Sequence, residues 1–101
     1  MALLEISVVP LGTSTPSIGD YVADVIRTCK RSKVKYRLTD MGTIVEGRPG
    51  DLFKLAQKLH ETPFKKGAKR VMTTLSIDDR RDKEVRLDGK VNSVMARIEE
   101  R

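Results

Sequence analysis

A carboxylate stands where a β-strand normally carries Val or Ile: Glu46, in the run TDMGTIVEGRPG of residues 39–50. Close to it in the chain are the hydroxyl of Thr43 and the pair Met41 and Gly42, where the backbone can approach another group closely. Carboxylate, hydroxyl and bare backbone in one short segment suit the capture of a small polar or cationic molecule. From spacing alone they suit better an exposed strand end whose carboxylate forms an ordinary ion pair with Arg37 or Arg48. Elsewhere the chemistry is thinner. His60 has no serine or cysteine at a motif spacing and reads as a solvated helix histidine rather than a general base. With one Cys and one His there is no Cys/His cluster for zinc, and Cys29 falls on an apolar stripe as a small hydrophobe. Gly42, Gly47 and Gly50 form neither GxGxxG nor a Walker loop. Arg80 and Arg81 could grip a phosphate bidentately, but the interleaved signs of DDRRDKE favour ion pairs, either mutual or between subunits. Asn92 and Ser93, in KVNSV, are expected to face solvent.

The net charge is +6, from 20 Lys+Arg against 14 Asp+Glu, and KKGAKR at residues 65–70 is the dense basic cluster. Such a balance favours polyanions in general. Nucleic acid is nonetheless disfavoured, because Tyr21, Tyr36, Phe53 and Phe64 fall in no RNP-like strand motif and the last strand offers Thr and Ser where stacking rings are needed. The opening MALLEISVVP carries Glu5, lacks a basic leader and stops at Pro10, too short for a signal or a membrane span, so a cytoplasmic location is expected.

The elements that must position these groups follow from periodicity. Residues 2–9 alternate Leu4, Ile6 and Val8 against Leu3, Glu5 and Ser7, a strand. In TSTPSIGDYVADVIRTCKRS, Ser17 is the expected N-cap with Asp20 three residues on, and Ile18, Val22, Val25, Ile26 and Cys29 recur at helical spacing. Strands at 34–39 and TIVEG flank the turn Asp40–Gly42. A second helix starts at Pro49 and Asp51, buries Leu52, Leu55, Ala56 and Leu59, and ends at Pro63. Residues 70–78 form a fourth strand, and DGKVNSVMARIEER a last helix with Asp88 as its cap and Val91, Val94, Met95 and Ile98 as its stripe.

One domain of 101 residues in the order βαββαβα is the α+β ferredoxin-like βαββαβ plan with an additional C-terminal helix, its antiparallel sheet ordered 4-1-3-2. Both main helices then lie on one sheet face. The other face carries Glu5, Ser7, Val9, Met72, Thr74 and Ser76, a half-polar mixture that suits a subunit interface or a ligand surface. The third helix also needs something to cover.

EISVVPLGT, YRLTDMGTIVEG, RVMTTLSIDDRRDK and KVNSV together resemble the small thiamine-binding proteins of the YkoF-like superfamily over nearly the whole chain, with MGTIVEG and DDRRDK the most specific pieces. That resemblance implies a ferredoxin-like fold, homodimers or homotetramers whose sheets extend or face each other, and binding of thiamine or its hydroxymethylpyrimidine part without chemistry and without a cofactor, as in a carrier or sensor. A pocket for an aminopyrimidine and a thiazolium cation wants a carboxylate, hydroxyls, backbone groups and apolar walls. Ser7, Met41, Gly42, Thr43 and Glu46 are the candidates on this reading, with the Glu46 charge matched by the ligand's cation or by Arg37 across an interface. The alternative is a basic nucleic-acid-binding ferredoxin-like module. An acylphosphatase-type hydrolase would need an Arg in the loop after the first strand, and PLGTSTPS has none.

Overall fold

Alternation with a period of two makes the first strand, β1 (Ala2–Pro10), two-faced: Ala2, Leu4, Ile6 and Val8 are buried, while Glu5 is exposed. The structure, a computed structural model, describes residues 1–15 and 17–99. After β1 come α1 (Gly19–Arg31), β2 (Lys35–Thr39), β3 (Gly42–Gly47), α2 (Pro49–Lys65), β4 (Val71–Asp78) and α3 (Gly89–Glu99). The strands form one antiparallel sheet in the order β2-β3-β1-β4, which is the expected 4-1-3-2 read from its other edge. Register sets the faces. Leu4 lies opposite Val45 and Ile77 on the face under α1 and α2, where Val25, Cys29, Leu52, Leu55, Ala56 and Leu59 complete the core. Glu5 lies opposite Ser76, Ser7 opposite Thr74 and Val9 opposite Met72 on the other face, as the alternation requires.

The helix ends depart from expectation in two places. Ser17 does not cap α1. The helix starts one residue later, behind Ile18, with no side-chain cap, and the Ser17 N–H is bound to Thr15 Oγ1 at 3.2 Å in a local turn. Pro63 does not end α2, which runs on to Lys65. A proline leaves the carbonyl four residues back without its N–H partner, and here that carbonyl, of Leu59, accepts the Thr62 hydroxyl at 2.8 Å instead. The helix stops at Gly67, whose φ of +99° favours glycine, with the Gly67 and Ala68 N–H groups returning to Phe64 and Pro63. The last two positions of the expected third helix, 100 and 101, lie outside the described residues.

The second sheet face is partly covered, and Glu46 is the reason. It lies opposite Leu3 on β1 and Lys35 on β2, and is only 6% exposed. A buried carboxylate must be given donors or lose its charge. The segment from Asp79 to Asp88 provides them: the Leu87 N–H reaches Oε2 at 3.0 Å and Arg86 Nη1 reaches Oε1 at 3.2 Å, with Lys35 Nζ at 3.9 Å. Val85 and Leu87 are buried alongside, outside the main core. Asp88, which takes a φ of +71°, gives its carboxylate to Arg37 and not to the N-terminus of α3. The connection thus crosses from β4 at one edge of the sheet to β2 at the other.

Beyond it, α3 packs closely on no other strand or helix among the described residues. None of its residues is buried, and Val91, Val94, Met95 and Ile98 are 47–59% exposed. The molecule is accordingly elongated, 50 × 31 × 21 Å, with a radius of gyration of 15.3 Å, against about 13 Å for a compact chain of this length.

The Leu87 N–H, the Arg86 guanidinium and the Lys35 charge hold the Glu46 carboxyl below the usual carboxylate range, outweighing its burial. A lowered native pKa stabilises the fold above the unfolded value of about 4.3 and is lost as pH falls through the native one. Glu46→Gln is therefore expected to destabilise the chain by about 1–3 kcal/mol at neutral pH, and by progressively less below about pH 4, in urea titrations at both pH values.

Candidate functional site

The β2–β3 hairpin tip is built by one hydroxyl. Thr39 Oγ1 donates to the Gly42 carbonyl at 2.9 Å and accepts the Met41 N–H at 3.2 Å, closing the turn TDMG from inside. Gly42 brings the tip hard against β1: a Cβ there would lie 2.9 Å from the Ile6 carbonyl oxygen, so any side chain forces the strands apart. Between this tip, the end of β1 and the first turns of α1 lies a cavity of about 100 Å³. Thr43, Ile18 and Val22 line it from the helical face and Thr39, Asp40 and Leu38 from the tip, while Ser7 and Val9, whose side chains lie on the other sheet face, border it where β1 runs on past its pairing with β3. Met41 stands at its rim, 84% exposed. Asp40 adds a carboxylate that joins none of the ion pairs of the described residues.

Four of the six residues expected to bind a ligand, Ser7, Met41, Gly42 and Thr43, therefore meet at this tip. Glu46 and Arg37 do not line it. Both oxygens of Glu46 are occupied from the chain's own Arg86 and Leu87, and Arg37 bonds Asp88 at 2.7 Å. The expected ion pair of Glu46 with Arg37 or Arg48 is replaced by pairs with Arg86 and Lys35, because Leu87 and Arg86 are folded back over the sheet. Leu3, rather than Glu5 or Ser7, stands across from it on β1.

The remaining chemistry-bearing residues have structural uses. His60 is half-buried, not solvated: its Nδ1 lies 2.7 Å from Thr73 Oγ1, tying α2 to β4, with its ring edge against Phe64. Cys29 is fully buried, and burial pushes its thiol up to about 11, which suppresses the reactive thiolate. Arg80 pairs with Asp82 and Arg81 with Asp79, as the interleaved charges suggested, and Asn92 and Ser93 are exposed. No group of three or more His, Cys, Asp or Glu among the described residues could hold a metal ion. Among the described residues, no helix is long and apolar enough to cross a membrane. Sequence reasoning missed Thr39, Asp40, Ile18 and Val22 as lining residues. Thr39 and Asp40 were visible in the same turn as Met41 and Gly42, but their turn chemistry masked any second use; Ile18 and Val22 looked like ordinary core.

The UPF0045 protein YqgV of Bacillus subtilis is 47% identical to this chain over 98 residues, 93% of this chain and 94% of the relative. A UPF0045 protein of Methanothermobacter thermautotrophicus is 40% identical over 97% of this chain and 100% of its own length. The crystal structure of the hypothetical protein MJ1052 from Methanocaldococcus jannaschii superposes with a TM-score of 0.84 at 31% identity, covering 93% of this chain and 95% of that one. A candidate thiamine biosynthesis/salvage protein of Thermotoga maritima shares the fold, with a TM-score of 0.76 at 22% identity over 92% of this chain and 97% of that one. The family described as thiamine-binding protein matches residues 4–95, which take in every strand but the first two residues of β1, both core helices, the hairpin tip and the Glu46 anchor. By sequence and by fold, this chain belongs to the thiamine-binding protein family.

Proposed function

We propose that this chain binds thiamine or a related hydroxymethylpyrimidine compound without transforming it, as a carrier or sensor. What carries the reading is a coincidence: the family match spans a hairpin tip whose cavity is lined by Thr39, Asp40 and Thr43 beside apolar walls, with Ser7 at its border where the β1–β3 pairing ends. An aminopyrimidine edge needs such donors and acceptors, and a thiazolium needs a carboxylate. The cavity of about 100 Å³ is well below the ~300 Å³ at which whole small-molecule sites begin. It receives the pyrimidine ring, and the rest of the ligand lies over the rim formed by Asp40 and Met41. Glu46 serves the fold on this reading, and Asp40 takes the role of the ligand's carboxylate. The lining residues pair no general base with a nucleophile, which supports binding without reaction.

Self-association is part of the proposal. A helix of 11 residues is marginal in water by itself, since isolated helices shorter than about 12–15 residues rarely hold. With its apolar stripe uncovered in the single chain, α3 is stabilised by a second copy that also meets the exposed Met72, Thr74 and Ser76 of the sheet.

Two outcomes are expected. In isothermal titration with thiamine, Asp40→Asn weakens binding about five- to tenfold, a loss of about 1 kcal/mol, while the melting temperature stays within about 1 °C because Asp40 is exposed; unchanged affinity would remove Asp40 from the site. In sedimentation at micromolar concentration, the chain runs above its monomer mass of 11.3 kDa and Met95→Glu returns it to that mass; a monomeric parent chain would refute the assembly.

A further inference from the structure

The excess positive charge is not spread over the molecule. The two core helices with the turns that follow them, residues 19–34 and 49–70, hold ten of the 20 Lys and Arg and four of the 14 Asp and Glu. The remainder of the chain is balanced, so the whole +6 belongs to the helical layer. Pairing sharpens the contrast. After β4, Arg80, Arg81, Arg86 and Lys90 are each matched to a carboxylate. On the helices, Arg27 and Lys66 share one partner, Asp24, while Arg31, Lys58 and Lys65 join none of the ion pairs of the described residues.

These cations are not merely a solvated surface, because they line a concavity. A groove of about 650 Å³ runs between the C-terminal halves of α1 and α2, which pass antiparallel so that Arg31 and Ser32 lie near Lys58, and Asp24 near Lys65 and Lys66. Its charged lining is four cations against one carboxylate that is already shared. The Arg31 guanidinium is folded inward, with Nη2 3.2 Å from Thr28 Oγ1, which leaves the rest of its fork free. Like charges gathered in this way repel one another, and a bound anion relieves that repulsion. The volume lies within the range of small-molecule sites, about 300–1,000 Å³. No aromatic ring lines the groove on which a nucleotide base could stack.

We propose that the α1–α2 groove is a second binding site, separate from the hairpin tip, for a small molecule carrying two or more phosphate groups. Arg31 grips one phosphate through its fork, and Lys58, Lys65 and Lys66 act as point charges around the others. The site does not rest on the thiamine reading.

Inorganic pyrophosphate is the probe, titrated calorimetrically into the full chain at about 50 and 150 mM salt, with Lys58→Glu/Lys65→Glu as the test variant, Lys58→Glu alone as its single-substitution counterpart, and Lys83→Glu as the control that matches that single variant in net charge. The expected result is saturable one-to-one binding, weakened tenfold or more in the double variant and less than twofold by Lys83→Glu. Arg31→Lys keeps the charge and is expected to lose at least threefold, which a nonspecific field would not produce. All four side chains are exposed, and the double variant is expected to melt at the same or a higher temperature, since it relieves repulsion. Thiamine binding stays unchanged in the double variant, so each site fails or stands alone. Absence of saturable pyrophosphate binding overturns the proposal, and so does equal weakening by Lys83→Glu. Displacement of pyrophosphate by a short RNA of higher, steeply salt-dependent affinity would replace it with a polyanion surface.

Discussion

An ionised carboxylate that is 6% exposed cannot stand in a sheet without donors, and what supplies them to Glu46 determines the course of the chain after β4. Leu87 and Arg86 must return across the sheet to reach it, which lays Val85 and Leu87 on the second face and brings Asp88 to Arg37 on the far edge. The exit of α3 follows from that anchor. Replacing the carboxylate by Val would suit the strand better in isolation, but it would leave the Leu87 N–H and one Arg86 contact without an acceptor. Glu46 is thus an oddity of the strand that is regular for the tertiary structure.

A four-stranded sheet with both helices on one side divides the surface into regions of different character. The helical side carries the charge. The opposite side carries Met72, Thr74 and Ser76 and, beyond the anchor, the stripe of α3. Repulsion keeps copies of the cationic side apart, whereas apolar surface without charge draws copies together. The charge distribution and the proposed assembly are consistent: association through the charge-balanced side, where Arg37, Arg86 and Lys90 are paired with carboxylates, leaves every helical groove facing solvent.

The fold was legible because its signals are local. Alternation in ALLEISVV and VMTTLSID, and the spacing of Leu52, Leu55, Ala56 and Leu59, assign faces without knowledge of distant partners. The misses needed tertiary information or a competing local bond. The turn closed by Thr15 on the Ser17 N–H is followed by a helix that starts behind Ile18, so Ser17 stands one residue short of the capping position, and Thr62 repairs the break that Pro63 makes. His60 looked solvated because its partner, Thr73, is on another element. Of the candidate site, the turn residues and Ser7 were found from chemistry and resemblance. Glu46 was noticed for a sound reason, an unmatched carboxylate in a strand, but its partners are 40 and 41 residues away, a separation no spacing rule reports.

A basic chain and the cationic ligand proposed for it look like a contradiction, and the distribution of charge removes it. The first 26 residues contain no Lys or Arg, and neither does the stretch from Leu38 to Gly47 that forms the hairpin tip and β3. Those two segments hold Glu5, Asp20, Asp24, Asp40 and Glu46, of which Asp40 lines the tip cavity. Screening at physiological salt confines a surface charge to roughly 8 Å, so the cations of the groove act on what enters the groove and little on what enters the tip. Net charge, summed over the chain, hides this separation; a cation and a polyphosphate are compatible ligands of one small domain because α1 and α2 hold the excess on one side and the hairpin tip draws on the first strand and the third.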